Sequence, residues 1–141
     1  MSSLCKGIIA GSIALAALLS LPVSAQPPSG LPPEAKVARA QFTTAIENRE
    51  PVDQVVILRP PADEVYFFTD LRHLQGRTVI HRWEYDGQVR SQVSFEVKGP
   101  RWRVFSKKKL KPDQLGEWSV TVLDASGWPL FMELFRYEPA P

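Results

Sequence analysis

From residue 37 onward, apolar side chains recur at every second position, in short runs broken by glycine, proline and aspartate. A period of two is the spacing of a strand with one buried face, and no window sustains the i, i+3, i+4, i+7 pattern of an amphipathic helix. In "ARAQFTTAI" (residues 38–46), Ala38, Ala40, Phe42, Thr44 and Ile46 share one face, and Arg39 and Gln41 alternate outward. "QVVIL" (54–58) reads as a short strand stopped by Pro60-Pro61. "EVYFFTDL" (64–71) sets Val65, Phe67, Thr69 and Leu71 on one face and Tyr66 and Phe68 on the other, which predicts cover on both sides. A turn at Gly76 follows. In "RWRVFS" (101–106), Trp102, Val104 and Ser106 point in, and Arg101, Arg103 and Phe105 point out.

Two hairpins can be tested by register, because a one-residue slip turns every side chain to the other face. In "VIHRWEYDGQVRSQVSFEV" (79–97), a two-residue Asp86-Gly87 loop would put Ile80 opposite Val93 and separate the apolar rows. A three-residue loop, Tyr85-Asp86-Gly87, pairs Trp83 with Val89, His81 with Ser91 and Val79 with Val93, all on one face. The pattern therefore predicts the bulged three-residue turn, with Gly87 as its left-handed residue. In "GEWSVTVLDASGWPLFMELFRY" (116–137), a loop at Ala125-Ser126-Gly127 pairs Val122 with Leu130, Val120 with Met132 and Trp118 with Leu134. Phe135 and Tyr137 are then out of phase, and either a bulge between Phe131 and Leu134 or a second face turned away from solvent is expected.

About seven short strands without a cysteine pair predict an all-β domain: a two-sheet antiparallel sandwich, immunoglobulin-like or fibronectin-like, after an N-terminal signal helix and a Pro-rich linker. Lys6, the apolar run "GIIAGSIALAALLSLPV" and the small residues of Val23-Ser24-Ala25 compose a signal peptide over residues 1–25. The run is shorter than the roughly 20 residues of a membrane span; an uncleaved inner-membrane anchor is the alternative, and would be the chain's one membrane contact. "QPPSGLPPEAK" (26–36) reads as an extended, disordered linker, 37–138 as the sandwich domain and 139–141 as a tail. The expected location is periplasmic. The one cysteine, Cys5, precedes the apolar run, so the exported chain has no thiol, and no cofactor or metal is expected.

The blocks "ARAQFTTAIENREPVDQV", "VYFFTDLRHLQGRTVIHRWEYDG", "GPRWRVFSKKKLKPDQLGEWSVTVLDASG" and "FRYE" resemble the bacterial domain-of-unknown-function family 2914. The resemblance spans Val37 to Glu138, with "HRWEYDG" and "GEWSVTV" its most specific parts. It implies an exported or membrane-anchored sandwich domain and supplies no catalytic residues. The closing hairpin is also similar to the last hairpin of immunoglobulin-like accessory domains, an architectural likeness.

Charge adds one feature. Without Lys6 the chain carries 16 basic and 15 acidic side chains, yet residues 98–111 hold seven basic residues and no acid. Arg101, Arg103 and Phe105, followed by Lys107, Lys108 and Lys109, make a cationic surface with an aromatic in it, suited to an envelope protein or another anionic surface. A solvated lysine loop is the plainer reading. Nucleic acid has the right charge and the wrong compartment. Trp128, just beyond a turn tip, reads as a lid over the core's open end; exposed and with Tyr85 near it, it would offer an alternative: a platform for a glycan or cell-wall polymer.

His81, Trp83 and Trp118 read as core, His81 bonded to a backbone carbonyl or across the hairpin to Ser91. His73 stands eight residues from His81, which is not a metal-ligand spacing. Glu84 and Asp86 flank a turn tip and read as solvated charges rather than a glycosidase pair. No Gly-x-Ser-x-Gly elbow or phosphate loop occurs. The chain is expected to be a non-catalytic binding module, not an enzyme.

Overall fold

The computed structural model describes residues 31–141, together with Gly11; the expected signal peptide and residues 26–30 of the linker lie outside these. Residues Leu31–Pro141 form one unit built of strands alone. They are β1 (Lys36–Thr43), β2 (Ile46–Glu47), β3 (Glu50–Pro51), β4 (Ile57–Leu58), β5 (Glu64–Arg72), β6 (Thr78–Tyr85), β7 (Gln88–Glu96), β8 (Arg101–Lys109), β9 (Gly116–Asp124) and β10 (Pro129–Tyr137). A three-stranded sheet, β1-β5-β8, stacks on a five-stranded sheet, β4-β10-β9-β6-β7, and β2 with β3 forms a small hairpin. Every pairing in the two large sheets is antiparallel except that of β10 with β4. The all-β sandwich read from the pattern is the fold.

The core lies between the sheets. Phe42 meets Phe67 and Phe135 at ring-centroid distances of 4.8 and 4.6 Å, Trp118 stacks on Phe135, and Trp83 closes on Phe42 and Phe67. All six are buried. In a chain with no cysteine pair, this aromatic cluster and its aliphatic neighbours Val65, Leu71, Val79, Val120 and Val122 supply the apolar burial that holds the layers together. β5 is covered on both sides as expected: Phe67, Thr69 and Leu71 face the core, while Phe68 and Asp70 are buried on the opposite face. Phe68 lies between Gln41 and Phe105 in register, under the guanidinium of Arg39.

The linker expected over residues 26–36 does not reach that far: Leu31 and Ala35 pack against the core, and β1 begins at Lys36. The strand directions give the sandwich two poles. Residues 31–35, the turns 73–77, 97–100 and 125–128, and the start of β10 lie at one pole. The Asp86-Gly87 turn, the 110–115 loop and the end of β10 lie at the other.

Both predicted hairpin registers need correction. The first hairpin turns on two residues, Asp86 (φ 52°) and Gly87 (φ 77°), with Tyr85 opposite Gln88. Positive φ at both positions is the type I′ turn, whose twist matches that of the strands and which Asp-Gly favours. The phase is restored not in the turn but at Arg90, an extra residue in β7, after which Trp83 pairs with Ser91, His81 with Val93 and Val79 with Phe95. The apolar rows share a face as the pattern demanded; the bulge sits elsewhere. The second hairpin does use the Ala125-Ser126-Gly127 loop, closed by Asp124 N–H donating to the Trp128 carbonyl. Its bulge is at Leu130, so that Val122 pairs with Phe131, Val120 with Glu133 and Trp118 with Phe135. Phe135 and Tyr137 are thereby brought into the core, while Met132 and Leu134 turn outward. A third extra residue, Ala38, does the same for β1.

The bulge at Arg90 makes a prediction. Replacing Arg90 by alanine removes only a cation–π contact with Tyr85 (5.4 Å) and is expected to cost about 0.5–1 kcal/mol. Deleting Arg90 moves Ser91, Val93 and Phe95 to the solvent face and is expected to cost several times more, about 3 kcal/mol or above. Urea unfolding of the two variants measures the difference.

Candidate functional site

The polar groups between the sheets form one closed chain. His81 on β6 is fully buried; its Nε2 lies 3.0 Å from Thr69 Oγ1 on β5 and its Nδ1 lies 2.8 Å from Ser106 Oγ on β8. Trp83 Nε1 donates to the same Ser106 oxygen at 3.0 Å. The rings of Phe67 and Phe95 stand edge-on to the imidazole at 5.0 and 4.8 Å. Both ring nitrogens are thus occupied by hydroxyls, and not by a backbone carbonyl or by Ser91, which pairs with Trp83 instead. Burial pushes the His81 pKa down to about 3, so the ring is neutral at physiological pH. Surface hollows of about 500, 470 and 210 Å³ exist, and neither His81 nor Trp83 lines any of them.

An imidazole buried with both nitrogens on hydroxyls of the facing sheet bridges the two layers. Its energetic signature is a pH dependence. The unfolded chain protonates this ring near pH 6.5 and the folded chain only near 3, so between those values the unfolded state binds more protons. The contribution to stability is whole above pH 6.5 and falls as the pH drops toward 3, by about 1.4 kcal/mol per unit and about 2 kcal/mol at pH 5. Denaturation of His81→Gln is expected to show a lower plateau at neutral pH and a flattened slope between pH 6 and 4.5. If the slope persists unchanged in that variant, another group carries it.

The charged groups gather on the outer face of the three-stranded sheet. The register places Lys36, Arg72 and Arg101 in one row, Arg39, Asp70 and Arg103 in the next, then Gln41, Phe68 and Phe105, then Thr43, Tyr66 and Lys107, and last Glu64 and Lys109. Asp70 is fully buried, and its carboxylate lies 3.0 Å from Arg72 Nε and 3.4 Å from an Nη2 of both Arg39 and Arg101. Glu50, on the β2–β3 hairpin, reaches over this face: Arg39 donates to it at 2.8 Å and Arg103 at 2.6 Å. Those hydrogen bonds, Arg39's first, hold the Glu50 carboxyl below the ordinary carboxylate range. Two carboxylates therefore fix four guanidiniums in a fan, and buried Asp70 is their anchor.

Further along the strip the cations are loose. Lys107 and Lys109 approach Glu64 and Asp63 only to 3.7 and 3.9 Å, with 61 % and 77 % of their side chains exposed. Between them and the arginines stands Phe105, 44 % exposed, edge-on to Tyr66 at 6.1 Å. The lysine run is thus strand, not loop, because β8 extends to Lys109 and alternates. Lys108 points the other way, with Nζ 3.4 Å from Ser91 Oγ across the sandwich side, and does not join the strip.

The two aromatics read as a possible platform are not brought together. Tyr85 stacks on Trp118 at 4.6 Å and donates to the Leu115 carbonyl at 2.6 Å, at the far pole. Trp128 is 66 % exposed at the opposite pole, on a turn that Asp124 braces by accepting from Ser126 and Trp128 N–H groups, both at 2.9 Å. Glu84 is held by Arg82 at 2.8 Å on the outer face of the other sheet. Among the described residues, no three His, Cys, Asp or Glu side chains converge as a metal site would need. What the sequence reading missed is Asp70, Arg39, Arg72 and Glu50; the outward Asp70 in an otherwise apolar strand was the available signal.

Residues 76–136, from the β5–β6 turn to the penultimate residue of β10, match the family described as Protein of unknown function (DUF2914), so the family resemblance holds over that stretch. No curated protein matches the chain. Among solved structures, a β-glucosidase from Kluyveromyces marxianus is similar at 12% identity and a TM-score of 0.36, over 71% of this chain and 14% of that one. At that score the likeness carries no argument about activity.

Proposed function

We propose that this chain is a non-catalytic, exported binding module that holds an acidic partner protein against the outer face of its three-stranded sheet. The observation that carries the reading is the register of that face. Seven cationic side chains (Lys36, Arg39, Arg72, Arg101, Arg103, Lys107 and Lys109) stand on it against the four carboxylates of Glu50, Asp63, Glu64 and Asp70. The arginines are pre-ordered by Asp70 and Glu50, which lowers the entropic cost of engaging an anion. The lysines beside Phe105 and Tyr66 keep their freedom and offer charge next to an apolar anchor, the composition of a protein-binding surface.

The buried His81 is in keeping with a role without chemistry, since both of its nitrogens are engaged by hydroxyls and it lines none of the three hollows described above. The apolar run near the N-terminus supports export, with the chain released in the periplasm or retained at the inner membrane. A glycan reading rests on Trp128 alone, because Tyr85 is committed to Trp118 at the other pole.

The test is in-cell crosslinking of the full-length chain and of a Lys107→Glu, Lys109→Glu double variant. The variant is expected to lose at least tenfold of its crosslinked acidic partner while its melting temperature stays put, since such exposed pairs contribute about 0–1 kcal/mol each. Lys111→Glu, off the strand, serves as control. Equal capture by all three chains defeats the proposal, and capture of wall glycan abolished by Trp128→Ala would replace it.

A further inference from the structure

β10 is half unpaired. On one side it pairs with β9 along its length; on the other the only strand hydrogen-bonded to it among the described residues is β4, at Arg136 and Tyr137, while β1 of the facing sheet runs alongside without forming a ladder. Residues 129–135 therefore present backbone donors and acceptors to no strand among the described residues. A bare edge is normally blunted by lysine, proline or a bulge that twists it away. Here the segment "PLFMELF" carries one charge, Glu133, and its proline and bulge sit at its first two positions.

The exposed large apolar side chains collect along the same edge. Trp128, Phe131, Met132 and Leu134 follow β10, and Val56 and Ile57 adjoin its far end; their exposures run from 38 % to 66 %. Among the described residues, only Val52, Val89 and Phe105 of the large exposed apolar side chains lie elsewhere. Together the six leave on the order of 600 Å² open along this edge, Phe131 on its inward phase and Met132 and Leu134 on its outward one. That area approaches the roughly 800 Å² per partner buried in a stable interface.

We infer that this edge pairs with the β10 edge of a second copy, antiparallel about a two-fold axis at Met132. The register is self-complementary. An axis normal to the sheet keeps each face on its own side, so outward Met132 meets its counterpart. Glu133 falls opposite the other copy's Phe131, where no like charges oppose. Centring the axis on Glu133 would set two carboxylates face to face. Centring it on Leu134 would drive the incoming strand into β4. The chain's own residues 31–36 are placed against the core and in β1, and the preceding 26–30 make a poor occupant, since two of those five are prolines and cannot complete a ladder. The result is a continuous sheet of ten strands, five from each copy, closed at two subunits.

The test uses the full-length chain with Cys5→Ser, which leaves no other thiol. In a Met132→Cys variant the paired Cβ atoms lie about 4.5–5.5 Å apart, near the reach of a disulfide. Mild oxidation is expected to convert most of it to a covalent dimer. Gln92→Cys, exposed on β7 at the opposite edge, is expected to crosslink at least tenfold less. Independently, Leu134→Lys is expected to weaken self-association at least tenfold in sedimentation equilibrium without lowering the melting temperature, since Leu134 is 40 % exposed. A monomer at high micromolar concentration overturns the inference, as does equal crosslinking at 132 and 92. A dimer indifferent to Leu134→Lys, or a monomer that captures another protein's strand at this edge, overturns it too.

Discussion

A strand offers alternate side chains to alternate faces, and a sandwich of two sheets can tolerate no error in that count. In this chain the count runs true only because three strands carry one residue too many: Ala38 in β1, Arg90 in β7 and Leu130 in β10. Each extra residue resets the alternation partway along. Without the reset at Leu130, Phe135 and Tyr137 would face water and Met132 and Leu134 the core; without that at Arg90, Val93 and Phe95 would leave the His81 side. Which residues are glue and which are free to recognise something follows from those three insertions.

The same parity separates polar groups of two kinds. On the inward phase, His81, Thr69, Ser106 and Trp83 satisfy one another, as groups removed from water must. On the outward phase, Asp70 is buried not by a facing sheet but by the arginines it attracts and by the β2–β3 hairpin that brings Glu50 across them. A carboxylate in that position organises cations that would otherwise repel one another. The inner network is complete in itself; the outer one leaves charge over.

How far this could be read from the chain depends on range. The alternation of β5 and β8 gave correct faces for Phe67, Thr69, Trp102, Val104 and Phe105, because a strand's own residues carry that information. The presence of an insertion in each hairpin was legible too, since two apolar rows had to meet. Its position was not: Asp86-Gly87 prefers the two-residue turn on local grounds, and the compensation four residues on at Arg90 answers to β6 and β9, which sequence spacing does not reveal. Lys107 to Lys109 looked like loop because strand propensity is low in lysine, whereas pairing with Glu64 to Tyr66 keeps them extended. The partners of His81 and the arginine fan around Asp70 join strands 12 to 31 residues apart, and no local pattern encodes them.

One feature of the architecture bears on how the domain carries load. β1 enters at one pole and β10 leaves at the opposite one, and the two run side by side in the same direction, one from each sheet. Tension drawn through the two ends would therefore act along both strands at once, shearing every rung of their ladders together rather than unzipping them singly. Nine residues of β10 make a strut roughly 30 Å long. Pulled lengthwise, such an element resists collectively, so the fold sets its two ends for shear rather than for peeling.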